Sequence, residues 1–226
     1  MSEGHALPIG PIIGRLVAAA LALSAVFFGT AGTLVYWEAW VYLVVLFLPT
    51  GLVLVYLARS NPALLERRLR KRERRTRQKA ALTLAMVIIL LAFVLPGLDR
   101  RFGWSDLPRA VVLFADLVFL MGYGLFFLVL RENSFASRVV EVEAGQQVVT
   151  TGPYRVVRHP MYVAIIVVYL ASPLALGSIY AVAPALLLPL ILVVRILDEE
   201  RLLTRDLPGY REYRSTTRAR LLPGIW

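Results

Sequence analysis

Two stretches hold most of the side chains able to do chemistry. One is RENSFASRVVEVEAGQQVVTTGPYRVVRHPMY, residues 131–162; the other is RILDEERLLTRDLPGYREYRSTTRARLLPGIW, residues 195–226. In the first, Pro160 suits the opening position of a helix, where its missing N–H costs nothing, and it keeps His159 extended. The N–H groups of Met161, Tyr162 and Val163 are then expected to be free at a helix start, a place that attracts a carboxylate or phosphate. Gly152-Pro153 reads as a turn that sets Tyr154 beside that start. In the second stretch, Asp198-Glu199-Glu200 closes an apolar segment, where carboxylates are costly unless paired or functional. Adjacent glutamates point about 100° apart on a helix, so one partner cannot serve both. Glu199 lies one turn from Arg195 and is expected to pair with it, leaving Glu200 to face a pocket.

Together these groups form a donor set. A helix start takes a carboxylate, a glutamate takes an ammonium or ribose hydroxyls, and Tyr154 and Tyr162 can face a cation. S-adenosylmethionine carries all of those features, and the set permits it without singling it out. Plainer readings stand beside this one. Arg155, Arg158 and Tyr154 suit an interfacial anchor with charges in water and stems in lipid, and the acidic triplet suits a solvated helix end.

The elements that must position these residues are apolar. Hydrophobic residues make up 58% of the 226, above the 45–50% usual in soluble domains. Runs free of charge span 16–36, 39–58 and 80–98, and a fourth, 110–130, is interrupted only by Asp116. Such lengths suit a hydrocarbon core about 30 Å thick. The last run, Met161 to Val194, is too long for one span at about 1.5 Å per residue. Proline and glycine in SPLALGS, residues 172–178, predict a turn there, folding the run into a hairpin of two short helices. Residue 161 then returns beside residue 194, and His159 beside Glu199 and Glu200. The expected fold is an all-α polytopic membrane protein with five to six transmembrane helices. It is a single domain: residues 1–130 form four spans with a basic loop at 59–79, and residues 131–226 form the polar approach, hairpin and C-terminal segment.

Charge fixes an expected orientation. Cytoplasmic N- and C-termini put all but Arg100, Arg101 and Arg109 of the 25 lysines and arginines on the cytoplasmic side, as the positive-inside rule requires. That rule accounts for the net charge of +10 better than nucleic-acid binding does, so no nucleic-acid partner is expected. A bacterial-type plasma membrane is the expected location. The 59–79 loop is expected to meet anionic lipids. The absence of cysteine removes thiolate catalysis, disulfides and most zinc sites, and the two histidines, His5 in the tail and His159, are not spaced to make an H-E-x-x-H centre; no metal is expected. Asp116 reads equally as a functional intramembrane carboxylate and as a packing residue. Gly122, and the Gly29–Gly32 stretch, read as close-packing faces.

The composite GPYRVVRHPMY, then a helical hairpin, then EERLL, LPGYREYR and RLLPGIW resembles the isoprenylcysteine carboxyl methyltransferase family, integral membrane enzymes related to the phospholipid N-methyltransferases. The resemblance covers roughly residues 130–226. It implies an S-adenosylmethionine pocket on the cytoplasmic side, closed by the C-terminal segment, and a lipophilic substrate entering from the bilayer. Carried over by position, it implies cofactor contacts from Tyr154, His159, Pro160, Tyr162, Glu199, Glu200, Leu203 and Tyr210. Arg158 and Arg195 are candidates to orient an anionic substrate group, and Asn133 to bond a polar head. Arg158, Glu200 and Asn133 are the catalytic candidates, with no base assigned. Two other classes compete. One is an NADPH-dependent membrane reductase of sterol-reductase-like architecture, although no G-x-G-x-x-G is present. The other is a non-enzymatic subunit or transporter, against which polar residues gather at one face instead of the midplane. The acceptor and the oligomeric state are not legible.

Overall fold

The structure is a computed structural model that describes residues 9–69, 76–136, 142 and 145–226. Every regular element among them is helical: α1 (Ile9–Ala31), α2 (Trp37–Ser60), α3 (Pro62–Leu69), α4 (Thr76–Phe102), α5 (Arg109–Glu132), α6 (Pro160–Ala175), α7 (Val182–Ala185), α8 (Leu188–Asp206) and α9 (Tyr210–Thr216). Four helices are long and apolar enough to cross a membrane, at residues 10–31, 37–60, 83–102 and 109–132. Each covers most or all of one of the four apolar runs and satisfies its own backbone, as a lipid-embedded segment must.

The bundle is held by large side chains whose polar tips are answered. Tyr42 is buried with its hydroxyl 2.7 Å from Ser172 Oγ, and the buried Tyr36 donates to the Leu176 carbonyl at 2.6 Å. Both bonds tie α2 and its approach to α6. The tightest pairing is α5 against α6. A Cβ on Gly122 would stand 2.8 Å from Val167 Cγ1, so the glycine lets the two backbones close. The Gly29–Gly32 stretch packs through Thr30 and the buried Ala31 and not through Gly29, on which a Cβ would meet nothing. The close approach of α1 is instead made by Gly97 of α4 against Thr30, because Gly97 and not Gly29 faces the partner helix.

The hairpin forms, with its turn displaced. Helix α6 runs through Ser172 and Pro173 and stops at Ala175. Gly177, at φ +75°, ends it in a Schellman motif: Ser178 N–H donates to the Pro173 carbonyl and Gly177 N–H to that of Leu174. The descending limb is broken into α7 and α8, with Pro189 in the first turn of α8. At this turn Asp99 accepts from Ser105 N, Ser105 Oγ and Ser178 Oγ, which fastens the hairpin to α4. The 59–79 loop is also corrected in part. Residues 62–69 are helical, because Asn61 Oδ1 caps Leu64 N–H at 3.0 Å and Pro62 opens the helix. Arg67 and Arg68 then bond the carbonyls of Ser134 and Ala136. Residues 70–75 of that loop lie outside the described residues.

Candidate active site

The hairpin carries the start of α6 and the charged end of α8 to one end of the bundle, where they meet. Glu200, 4% exposed, is the centre of a clamp. Its Oε1 accepts from Arg158 Nε at 2.7 Å and lies 3.2 Å from His159 Nε2; its Oε2 accepts from Arg220 Nε at 2.9 Å. Burial by itself would raise this carboxyl. The hydrogen bonds from His159, Arg158 and Arg220 outweigh that cost and hold it at about 2. Arg158 also donates through Nη1 to the carbonyls of Thr217 and Arg218. Backbone bonds from Arg158 N to Ala219 O and from His159 N to Arg220 O lay the C-terminal tail along the approach to α6. Arg220 closes the tail on itself by stacking over Trp226.

Glu199 has a different setting. Its Oε2 accepts from the Tyr162 hydroxyl at 2.5 Å, and that hydroxyl accepts from Arg195 Nε at 2.9 Å. Tyr162 thus links the two residues expected to pair. Asn133 Nδ2 donates to Tyr154 Oη at 2.8 Å, and Tyr213 donates to the Tyr154 carbonyl at 2.8 Å. Burial pushes the phenol of Tyr154 up, that of Tyr213 to about 12, and that of Tyr210 well above its ordinary value. All three therefore remain protonated donors. The Tyr210 hydroxyl is buried and has no hydrogen-bond partner.

A cavity of about 590 Å³ opens between these groups, within the usual range for a small-molecule site. Its polar end is walled by Asn133, Tyr154, His159, Tyr162 and Glu199, with Leu203 and Tyr210 beneath α9. Arg158 and Arg195 line it as well. From there it reaches into the bundle, past Ile165 and Phe93 to Tyr42, Thr50 and Ser172. Of the residues nominated from sequence, Pro160 and Glu200 are not in the lining. Glu199 turns to the cavity and Glu200 to the clamp, because the tail's Arg220 and the neighbouring Arg158 both claim Glu200. The expected anion cradle at the start of α6 is corrected too. The N–H groups of Tyr162 and Val163 are not free, since both donate to the His159 carbonyl.

Sequence reasoning missed three parts of the site. Arg220 carried no local signal, since its role follows from the pairing of 158–159 with 219–220. Tyr213 is not among the residues nominated from sequence, and α9 buries it with Tyr210 against Val148, Tyr154 and Leu203. Gln146 and Gln147 line the cavity, and two glutamines between apolar neighbours were a legible signal.

The constellation is one of binding and enclosure: an oriented carboxylate, a wall of phenols, and an apolar arm into the bundle. No curated protein matches the chain. Four membrane-length helices make it an integral membrane protein, and its residues 110–208, from the start of α5 to just past the end of α8, match the phospholipid methyltransferase family, a membrane methyltransferase family related to the isoprenylcysteine carboxyl methyltransferases.

Proposed function

We propose that the protein transfers a methyl group from S-adenosylmethionine to a lipophilic acceptor held partly in the bilayer, at the cytoplasmic face. The observation that carries this reading is the two-part cavity, polar where Glu199 and the tyrosines converge and apolar where it runs between α2, α4 and α6. A charged cofactor and a lipid-soluble acceptor need that combination in one enclosed space. Glu199 offers a fixed acceptor to an ammonium or to ribose hydroxyls, phenol faces suit a cation, and the orphaned Tyr210 hydroxyl calls for a partner from a ligand. The residues present fit the group.

S-adenosylmethionine, when bound, supplies a methyl group on a sulfonium, an electrophile with a neutral leaving group. The chain's own work is positioning and exclusion of water. Tyr162 and Arg195 fix the direction of Glu199. Tyr154 is held from both ends by Asn133 and Tyr213, which keeps α9 down over the cavity. The clamp on Glu200 joins α6, α8 and the tail, so Arg158, His159 and Glu200 act as positioning residues. The acceptor's apolar part occupies the arm toward Tyr42, and Asn133 and Arg195 stand where its polar end would meet the donor. A carboxylate acceptor needs no base, and none is assigned.

Calorimetric titration of the detergent-purified chain with S-adenosylhomocysteine tests this. We expect saturable binding, weakened by roughly tenfold or more in Glu199→Gln and by several-fold in Tyr210→Phe, about one hydrogen bond's worth. Failure of the unsubstituted chain to bind would sink the cofactor assignment; NADPH binding in its place would turn the reading to a reductase.

A further inference from the structure

Helix α9 has a second functional face. Its tyrosines point into the bundle and its arginines point away from it, into a separate cleft of about 490 Å³ between α9 and the end of α8. The lining is Arg158, Thr204, Arg211, Arg214, Ser215 and Arg218. Four guanidinium groups and two hydroxyls line this cleft, and no carboxylate does. Arg158 is the one residue shared with the larger cavity.

Among the described residues, the charge in this cleft is balanced at Arg158 and at none of its other arginines. Glu200 is the carboxylate that Arg158 reaches, and it is shared with Arg220. Arg211 Nε reaches only the Thr204 carbonyl, at 3.3 Å, and Arg214 Nη1 only Thr204 Oγ1, at 3.2 Å. Both bonds are long and both acceptors are neutral. Among the described residues, no carboxylate pairs with Arg211, Arg214 or Arg218. Like charges on one helix face repel, and converging guanidinium forks match the several oxygens of one phosphate.

We infer that this cleft binds a phosphate group, held by the guanidinium groups of Arg211, Arg214 and Arg218. The phosphate comes either from the headgroup of an anionic lipid or from a soluble phosphate compound. A phosphate there ties the outer face of α9 to the tail at Arg218, while Tyr210 and Tyr213 close the larger cavity from within. The inference does not depend on the methyltransferase reading, because the cleft lies on the other side of Arg158 from that cavity.

The test is calorimetry on the detergent-purified full chain, titrated with inorganic phosphate, with short-chain phosphatidylglycerol, and with phosphatidylcholine of the same chain length. Saturable binding is expected for at least one of the first two and not for phosphatidylcholine. Phosphatidylglycerol binding without phosphate binding identifies a headgroup site; phosphate binding of similar strength identifies a soluble ligand. In Arg211→Gln/Arg214→Gln the affinity falls by roughly tenfold or more, and in Arg205→Gln, outside the cleft, it is unchanged. These side chains are exposed, so the variants should melt as the parent does; should the double variant unfold, Arg218→Gln makes the same comparison. Binding of neither probe, or equal binding by parent and cleft variants, overturns the inference.

Discussion

Replacing Glu200 by alanine should open the site end of the protein while leaving the four-helix bundle intact. The carboxylate is the shared acceptor for Arg158, His159 and Arg220. Its removal leaves Arg158, 6% exposed, buried without a counter-charge. Breaking a buried pair on one side typically costs about 3–5 kcal/mol. The carboxyl's own titration gives a similar scale: from an ordinary 4.5 to about 2, at about 1.4 kcal/mol per unit, comes to roughly 3 kcal/mol. The cost falls on what the clamp joins, the approach at 156–160 and the tail at 217–226. Hydrogen exchange reads this directly. Protection of those two segments should fall by roughly a hundredfold or more in Glu200→Ala, with α2 and α5 unchanged. Because the folded-state value is depressed, the stabilisation is fully present above about 4.5 and is lost as pH falls from there through about 2. The parent's tail protection should therefore decline across that window, and the variant's should not. Tail protection in Glu200→Ala within about threefold of the parent would refute the clamp.

Three further outcomes follow from the packing. Asp116 is 5% exposed with both carboxylate oxygens unpartnered, so no hydrogen bond is lost with it; Asp116→Asn should leave thermal stability within about 1 kcal/mol, and Asp116→Leu should match or raise it. Gly177→Ala should destabilise by about 1–2 kcal/mol in denaturant titration, since φ is +75° and the new Cβ meets Glu38 Cγ at 3.4 Å. Gly122→Leu should cost more, about 2–4 kcal/mol, by driving α5 off Val167 and Val168.

The sequence by itself determined the elements. Charge-free runs of membrane length need no tertiary information to be read, because a bilayer demands about twenty apolar residues that satisfy their own backbone. It also determined that Met161–Val194 folds back, since that run is too long for one span, and so brought His159 near Glu199 and Glu200. Within the site, the residue types were legible and their division of labour was not. Which glutamate faces the cavity depends on which one the tail reaches, and Arg220 reaches Glu200 only because residues 219–220 pair with 158–159. The same holds for α9, whose tyrosines find a core only after Tyr154 and Val148 are in place. These choices rest on contacts between residues 20 or more positions apart, and no local spacing records them. The apolar pattern chose the spans; the tertiary fold chose which charges face a ligand and which hold the structure shut.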